Sequence, residues 1–111
     1  MVKRIVGKSS LPTANTQLDH RKVINTINQY FNIKISDLIG PRRQKQLVLP
    51  RQITMFILYE DCKISMEKIG ELLGGRDHTT VLYGIDKIRQ AYKQDAELQR
   101  AITEIKQQLI S

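Results

Sequence analysis

Five consecutive side chains that can all form hydrogen bonds lie between a pair of glycines and an apolar series. They are Arg76, Asp77, His78, Thr79 and Thr80, which follow Gly74-Gly75 and precede Val81. None of these five residues, which we call the polar turn, is needed for a hydrophobic core. If a helix starts at Asp77, its free backbone N–H groups and the positive end of its dipole also favour a phosphate. The pattern therefore indicates a surface that binds a polar, negatively charged ligand.

Two helices are expected to position the polar turn. Ser65 is suited to cap a short helix that ends near Leu73, and a longer helix is expected from Asp77 to about Gln94. The longer helix carries its apolar residues at helical spacing: Val81, Ile85, Ile88 and Tyr92. This is the helix-turn-helix plan, in which the start of the second helix reaches base edges in the DNA major groove. An ordinary helical hairpin has the same spacing, and the polar turn is what favours the helix-turn-helix.

The polar turn contains groups that suit a major groove. The Asp77 carboxylate can accept a hydrogen bond from the N4 amino group of cytosine, and threonine methyl groups can contact the methyl group of thymine. Each residue also has a simpler explanation. Asp77 could serve only as the helix N-cap, Thr79 or Thr80 as a solvated first-turn residue, and His78 as a surface residue with no ligand. Four such residues in succession favour DNA recognition.

A second candidate feature is the basic segment, residues 41–51, which holds four basic side chains and no acid: Arg42, Arg43, Lys45 and Arg51. The chain has 18 Lys and Arg against 11 Asp and Glu, and its net charge is +7. The acidic and basic residues of 65–111 are equal in number, so the excess of positive charge lies in residues 1–64. The negative potential of a narrow, A·T-rich minor groove favours an inserted arginine, and Arg51 and Gln52 at a helix start could contact phosphates. A solvated basic loop is the alternative.

The spacing of apolar residues predicts an all-α fold. We expect a compact bundle of about five helices that contains a Trp-repressor-like helix-turn-helix. Residues 1–17 are expected to be a flexible lead-in or the remnant of a linker, because they are rich in small and polar residues without periodicity. Residues 18–111 are expected to form the helix-turn-helix domain.

The remaining helices are predicted from caps and spacing. The first is expected from about 17 to 31, with Thr16 as its N-cap, and residues 33–41 are expected to be a packed connector or one short helical turn. Another helix has Pro50 in its first turn, where proline is favoured, and ends near Cys62. The last helix repeats the apolar spacing of the longer helix with Leu98, Ile102, Ile105 and Leu109.

The sequence does not favour an enzyme. Gly7-Lys8-Ser9 looks like the end of a phosphate-binding loop, but Val2 stands where that loop requires a glycine. No Ser/His/Asp or Cys/His set is evident, and one cysteine with two distant histidines cannot form a four-ligand zinc site. We therefore expect no catalytic residue, metal or cofactor. The chain has no secretory signal and no apolar run near the ~20 residues that cross a bilayer, so we expect a cytoplasmic protein.

The sequence resembles a known family of DNA-binding domains. Gly74-Gly75-Arg76-Asp77-His78-Thr79-Thr80-Val81, preceded by Ile69-Gly70 and Pro50-Arg51-Gln52, closely resembles the signature of the C-terminal DNA-binding domain (domain IV) of the bacterial chromosomal replication initiators, the DnaA family. The resemblance extends from about Leu18 to Ile110. It implies a helical domain whose helix-turn-helix recognises the short asymmetric DnaA box in double-stranded DNA, one monomer per box. The family's ATPase domain has no match here, so we expect an excised domain or a stand-alone relative.

The resemblance also implies roles for individual residues. Asp77, His78 and Thr79 match the positions that read bases in the major groove, and Arg43 matches the residue that enters the minor groove. The DNA backbone is expected to be contacted by Arg42, Lys45, Arg51, Gln52, Arg76 and Thr80. The chain departs from the family pattern at Tyr59, where some relatives carry a lysine, and at Met66-Glu67, where Leu-Pro is common.

Three functions are consistent with these residues. The first is sequence-specific DNA binding at the replication origin, as the recognition module of an initiator. The second is a stand-alone helix-turn-helix regulator of transcription, for which a dimer and a two-fold repeated target are expected. The third belongs to another class, a basic helical adaptor that binds an acidic protein or an anionic membrane. The polar turn and the resemblance favour the first, with no membrane partner for this domain.

Overall fold

Six helices make up the secondary structure of the part of the chain that the computed structural model describes, residues 19–41 and 44–110. In chain order they are α1 (His20–Phe31), α2 (Ile35–Ile39), α3 (Lys45–Glu60), α4 (Met66–Leu72), α5 (His78–Tyr92) and α6 (Ala96–Leu109). Within these residues there is no strand, so the predicted all-α fold is confirmed. The predicted flexible lead-in (1–17), Arg42 and Arg43 lie outside the described residues.

Acidic and hydroxyl side chains begin four of the helices. Asp19, Ser65, Asp77 and Asp95 are the N-caps of α1, α4, α5 and α6, and each side chain accepts a hydrogen bond from a backbone N–H of the first turn. The predicted start of the first helix was wrong. The helix begins at His20 because the extended backbone and carboxylate of Asp19 cap it there, whereas Thr16 lies outside the described residues.

Helix α3 begins at Lys45, so the prediction that Pro50 lies in its first turn was wrong. Pro50 lies within the helix, where it has no N–H to donate to the carbonyl of Gln46. Leu47 is 2% exposed and Pro50 is also buried. Burial of this apolar face keeps the turn helical although one hydrogen bond is missing. Lys45 and Arg51, both from the basic segment, consequently lie on α3.

The core is built around α3, which packs most extensively against α5 and also contacts α1, α2 and α4. Its fully buried side chains include Ile53, Ile57 and Leu58. Burial of each such side chain stabilises the fold by roughly 1.5–3 kcal/mol. Helix α6 covers α1 and α5, and all four of its predicted apolar residues are buried.

The apolar face of α5 was predicted correctly at three of its four positions. Val81, Ile85 and Ile88 are buried, but Tyr92 is 37% exposed and belongs to the surface. Tyr92 ends the helix, where the chain turns toward α6 and the backbone carbonyl of Tyr92 accepts a hydrogen bond from the Gln99 side chain. The fully buried face of α5 therefore ends at Ile88, one turn before the helix ends, and in the last turn Ala91 is partly buried against the core.

The half of α5 that is remote from the polar turn is tied to α3 by an ion pair. The Arg89 guanidinium donates to the carboxylate of Glu60, and also to Asp86 on its own helix at 3.2 Å. These groups are partly exposed to solvent, so we expect the pair to contribute little to stability.

Across the described segments, every helix is too short or too polar to span a bilayer.

Candidate nucleic-acid interface

Helices α4 and α5 form the predicted helix-turn-helix. The chain leaves α4 through residues 73–77, and the carbonyl oxygen of Gly70 accepts hydrogen bonds from the backbone N–H groups of Gly75 (2.9 Å) and Arg76 (2.8 Å). A Cβ atom added at Gly70 would lie 2.1 Å from the carbonyl oxygen of Arg76. The turn therefore lies directly against the backbone of α4, and this close approach fixes where α5 begins.

The same turn packs against the end of α2. Gly74 has a φ of +85°, a conformation that favours glycine. A Cβ atom at Gly74 would lie 2.0 Å from the carbonyl oxygen of Ile39. No side chain fits at this position without displacing one of the two backbone segments, so the helix-turn-helix and the C-terminal end of α2 are held in contact.

Four members of the polar turn project into solvent at the start of α5. Asp77, His78, Thr79 and Thr80 are all exposed, and the buried face of the helix begins at Val81. The Asp77 carboxylate accepts from the backbone N–H of Thr79 at 3.4 Å, and the Nδ1 atom of His78 lies 3.4 Å from it. Hydrogen bonds from Thr79 lower the pKa of Asp77 below its usual value, so the carboxylate is ionised at neutral pH.

Arg76, the fifth member of the polar turn, points in another direction. Its Nη1 atom donates to the carbonyl oxygens of Leu73 and of Ile39, the latter at 3.3 Å, and its Nη2 atom donates to that of Gly40 at 2.7 Å. The side chain is partly buried against the end of α2. Arg76 thus connects the helix-turn-helix to α2, a role that the sequence analysis did not predict.

Arg51 reaches the same end of α2 from α3. The residue is only 7% exposed, and its Nε atom donates to the carbonyl oxygen of Leu38 at 2.9 Å. Its Nη2 atom donates to the carbonyl oxygens of Asp37 at 2.6 Å and Gly40 at 3.0 Å. Arg51 therefore serves the fold, whereas its predicted contact with a phosphate stays a prediction.

The two arginines also influence each other. Burial lowers the pKa of the Arg51 guanidinium and the charge of Arg76 lowers it further, while the carboxylate of Asp37 opposes that shift. Burial lowers the pKa of Arg76 as well. Both groups stay charged at neutral pH, because a guanidinium loses its proton only above about pH 12. The region thus holds two neighbouring cations, and cationic side chains attract anions.

A cleft of about 660 Å³ lies where these elements meet. It is lined by Ile39, Gly40, Pro41, Arg51, Gly74, Arg76 and Thr80. The cleft brings together three members of the predicted site: Arg51, and the neighbouring residues Arg76 and Thr80, which are remote from Arg51 in the sequence. It also shows that Pro41, the first residue of the basic segment, lies beside the start of α5.

A second cleft of about 160 Å³ continues along α3 and α5. Gln52 and Thr80, both predicted to contact the DNA backbone, line it together with Val48, Arg51, Met55, Arg76 and Tyr83. Two exposed residues of this cleft were not predicted from the sequence: Val48, which is 43% exposed, and Tyr83, which is 61% exposed. The signal for Tyr83 was helical spacing, because Tyr83 follows Thr80 by three residues and so shares its face. Lys45 is exposed at the start of α3 and lines neither cleft.

The described residues hold no group of three or more His, Cys, Asp or Glu side chains that could bind a metal ion. The exposed groups of the interface are instead a carboxylate, an imidazole and two hydroxyls, with two arginines beside them. Such groups form hydrogen bonds and ion pairs with a ligand. Their arrangement at the N-terminal end of a helix matches a docking surface for a polyanion.

Comparisons with known proteins identify the family. The family model for the bacterial DnaA protein helix-turn-helix matches residues 20–88. The chromosomal replication initiator protein DnaA of Thermomicrobium roseum is 40% identical over 93 residues, which are 84% of this chain and 20% of that protein. The protein of the same name from Lactiplantibacillus plantarum is 46% identical over 85 residues, 77% of this chain and 19% of that protein.

A third relative covers nearly the whole chain. The chromosomal replication initiator protein DnaA of Lactobacillus johnsonii is 38% identical over 109 residues, which are 98% of this chain and 24% of that protein. The chain thus spans about a fifth to a quarter of the length of these curated relatives. The family model includes the predicted helix-turn-helix. The chain belongs to the bacterial DnaA helix-turn-helix family.

Proposed function

We propose that this chain binds double-stranded DNA in a sequence-specific manner through the start of α5. One observation carries the proposal: four consecutive polar side chains, residues 77–80, are exposed at the N-terminal end of the second helix of a helix-turn-helix. In this plan the N-terminal residues of the second helix contact base edges in the major groove. The cleft lined by Arg51 and Arg76 lies beside these side chains and attracts the phosphates of the DNA backbone.

Three of the exposed side chains are proposed to read bases. The ionised carboxylate of Asp77 is an acceptor that suits the amino group of cytosine, and the methyl group of Thr79 suits that of thymine. His78 has ring nitrogens that can donate or accept a hydrogen bond. Thr80 lines both clefts, which supports the proposal that its hydroxyl contacts a backbone phosphate.

Other residues are proposed to hold the DNA without reading its sequence. Lys45 is exposed at the start of α3, and Gln52 lies about two turns further along the helix, where it lines the second cleft with Thr80. Both side chains can donate hydrogen bonds to phosphate oxygens. Arg42 and Arg43 belong to the same basic segment, and we propose a phosphate contact for Arg42 and a minor-groove contact for Arg43.

The relatives suggest which DNA is bound. They are named chromosomal replication initiator proteins, and we propose that this chain is the DNA-recognition module of such an initiator and binds DnaA boxes at the replication origin. Residues 18–111 are proposed to form the module, with one monomer on each asymmetric box. The proposed place of action is the cytoplasm, where the bacterial chromosome lies.

A mobility shift with two duplexes of equal length and composition tests this proposal. One duplex carries a DnaA box and the other carries the same bases in scrambled order. We expect the box to be bound more tightly by about three orders of magnitude or more at physiological salt. Equal affinity for both duplexes would reject sequence-specific binding. A dimer bound to a two-fold repeat, with no binding to a single box, would favour the transcriptional regulator instead.

A further inference from the structure

The carbonyl oxygen of Gly40 accepts hydrogen bonds from two arginines of different helical elements. Nη2 of Arg51 on α3 lies 3.0 Å from it, and Nη2 of Arg76 in the helix-turn-helix lies 2.7 Å from it. The same two side chains, which we call the arginine pair, also donate to the carbonyl oxygens of Asp37, Leu38 and Ile39. The arginine pair thus contacts four consecutive carbonyl groups at the end of α2.

The C-terminal end of a helix explains why these carbonyl groups need partners. The last four carbonyl groups of a helix have no partner within it. A glycine in the left-handed conformation often supplies the missing hydrogen bonds, but the C-cap of α2, Gly40, has an extended backbone with φ −78° and ψ 175°. The arginine pair donates these hydrogen bonds instead, and its positive charge is also favourable at the negative end of the helix dipole.

We propose that Arg51 and Arg76 are positioning residues for DNA recognition: they hold the end of α2, and with it the start of the basic segment, at a fixed place relative to the polar turn. The proposal rests on the proposed function, in which the basic segment and the polar turn contact adjacent grooves of one duplex. Gly40 lies immediately before the basic segment, and Arg43 follows it by three residues. The chain therefore enters the basic segment from a point that the arginine pair fixes.

Close packing at the same place supports a fixed geometry. Gly74 approaches the carbonyl oxygen of Ile39 so closely that even a methyl group would not fit between them. Its backbone therefore keeps the helix-turn-helix against α2. The Arg76 side chain donates to carbonyl oxygens on both sides of this contact, that of Leu73 after α4 and that of Gly40 after α2. A surface that reads two grooves requires its contact groups to be held within about 0.5 Å of their working positions. The arginine pair supplies this constraint.

A direct contact with DNA phosphate, as proposed above for the cleft that Arg51 and Arg76 line, is the other explanation for these two charges, and two variants of Arg76 separate the explanations. Arg76→Gln removes the charge, whereas Arg76→Lys keeps it but replaces the planar, forked donor group by a single ammonium group. If Arg76 positions the loop, both variants should lose about tenfold in affinity for the box duplex and little for the scrambled duplex. If it binds a phosphate, the lysine variant should keep most of its affinity for both.

A double-mutant cycle with Arg43→Ala tests whether the arginine pair acts through the basic segment. We expect Arg76→Gln to weaken box binding by about tenfold in the wild-type chain, but by less than about threefold when Arg43 is already alanine. Fluorescence anisotropy measures the four dissociation constants, and thermal melting by circular dichroism confirms that each variant is folded. If Arg76→Gln does not fold, Arg76→Lys takes its place in the cycle. Arg89→Lys is the matched control, because Arg89 lies on α5 far from the polar turn and pairs with Glu60.

The outcomes distinguish this proposal from the proposed function. A folded Arg76→Lys variant with the full preference for the box, or the same fold-loss with and without Arg43, would overturn the positioning role. A wild-type chain that does not prefer the box would overturn the proposed function itself. A loss that appears only when Arg43 is present, and that the Arg89→Lys control does not share, would establish the positioning role.

Discussion

The Asp77 carboxylate accepts a hydrogen bond from the backbone N–H of Thr79, with 3.4 Å between the oxygen and the nitrogen. Asp77 is thus the N-cap of α5, and its carboxylate is also exposed to solvent at the centre of the polar turn. One side chain is therefore placed both to begin the helix and to contact a base. The two functions require different properties of the residue, since a cap needs an acceptor oxygen and a base contact needs a particular pattern of donors and acceptors.

Substitutions of Asp77 should separate these two functions. Asp77→Asn keeps an acceptor oxygen for the cap but loses the charge and adds an amide donor, so we expect stability close to wild type and a loss of box preference of about tenfold. Asp77→Ala removes the cap as well and should lower the melting temperature by about 4–8 °C. Thermal melting and anisotropy titrations measure the two effects.

The critical comparison is between the affinities of the Asp77→Asn variant for the box and for the scrambled duplex. Asp77→Asn should bind the scrambled duplex at least as tightly as the wild type does, because that binding depends on phosphate contacts and the variant loses a negative charge. If asparagine restores the box preference completely, Asp77 acts only as a cap and does not read a base.

The glycines of the turn should differ in their tolerance of alanine. Gly74 and Gly75 have nearly the same φ, +85° and +82°. Only Gly74 has a backbone atom in the path of a Cβ, the carbonyl oxygen of Ile39. Gly75→Ala should therefore cost roughly 1–2 kcal/mol for the left-handed conformation alone, and Gly74→Ala about 3 kcal/mol or more. Chemical denaturation of both variants tests this order. Equal losses would show that the contact between the turn and α2 does not constrain the fold.

Salt dependence should reveal the phosphate contacts. If four to six phosphates are neutralised, the logarithm of the association constant should fall with the logarithm of salt concentration at a slope of roughly −4 to −5. Lys45→Gln should reduce the magnitude of this slope by about one. Lys93→Gln is the matched control, because Lys93 is also exposed but lies just beyond the far end of α5. A slope near zero, or the same change in both variants, would contradict the proposed electrostatic contribution.

Cys62 should react slowly in the folded chain. Burial and the nearby charges of Asp61 and Asp19 raise the pKa of its thiol to about 11. The thiolate is the reactive form, so alkylation by iodoacetamide at pH 8 should be about 100-fold slower in the folded chain than in the denatured chain. Because the folded chain holds the thiol proton more tightly than the unfolded chain, the protonated thiol favours the folded state. This contribution to the free energy of unfolding is present below pH 9 and is lost as pH rises toward 11. Equal rates in both states would show that the thiol is not protected.

Local signals explain why α4 and α5 could be predicted from the sequence. Ser65 and Asp77 are N-caps, the glycine pair ends α4, and three apolar residues repeat at the spacing of one helical face. Each signal involves residues within one or two turns of one another, and such patterns are visible in a single sequence.

Features that depend on tertiary contacts could not be predicted in this way. The rule that proline favours a first turn gave the wrong start for α3, because burial of Leu47 outweighs the local preference. Arg51 and Arg76 look like surface cations in the sequence, but their acceptors lie 11–14 and 36–37 positions away on α2. Only the packing of α2 against α3 and the turn shows that these charges serve the fold.

Thr79→Ala provides the most direct test of base reading by the polar turn. Thr79 is exposed and outside the core, so we expect the variant to fold normally. The measurement is the ratio of dissociation constants for the scrambled and the box duplex, obtained by fluorescence anisotropy for the wild type and the variant under identical salt conditions. We predict a high ratio for the wild type and a ratio lower by about fivefold or more for Thr79→Ala, with unchanged binding to the scrambled duplex. An unchanged ratio, or an equal loss on both duplexes, would contradict the account.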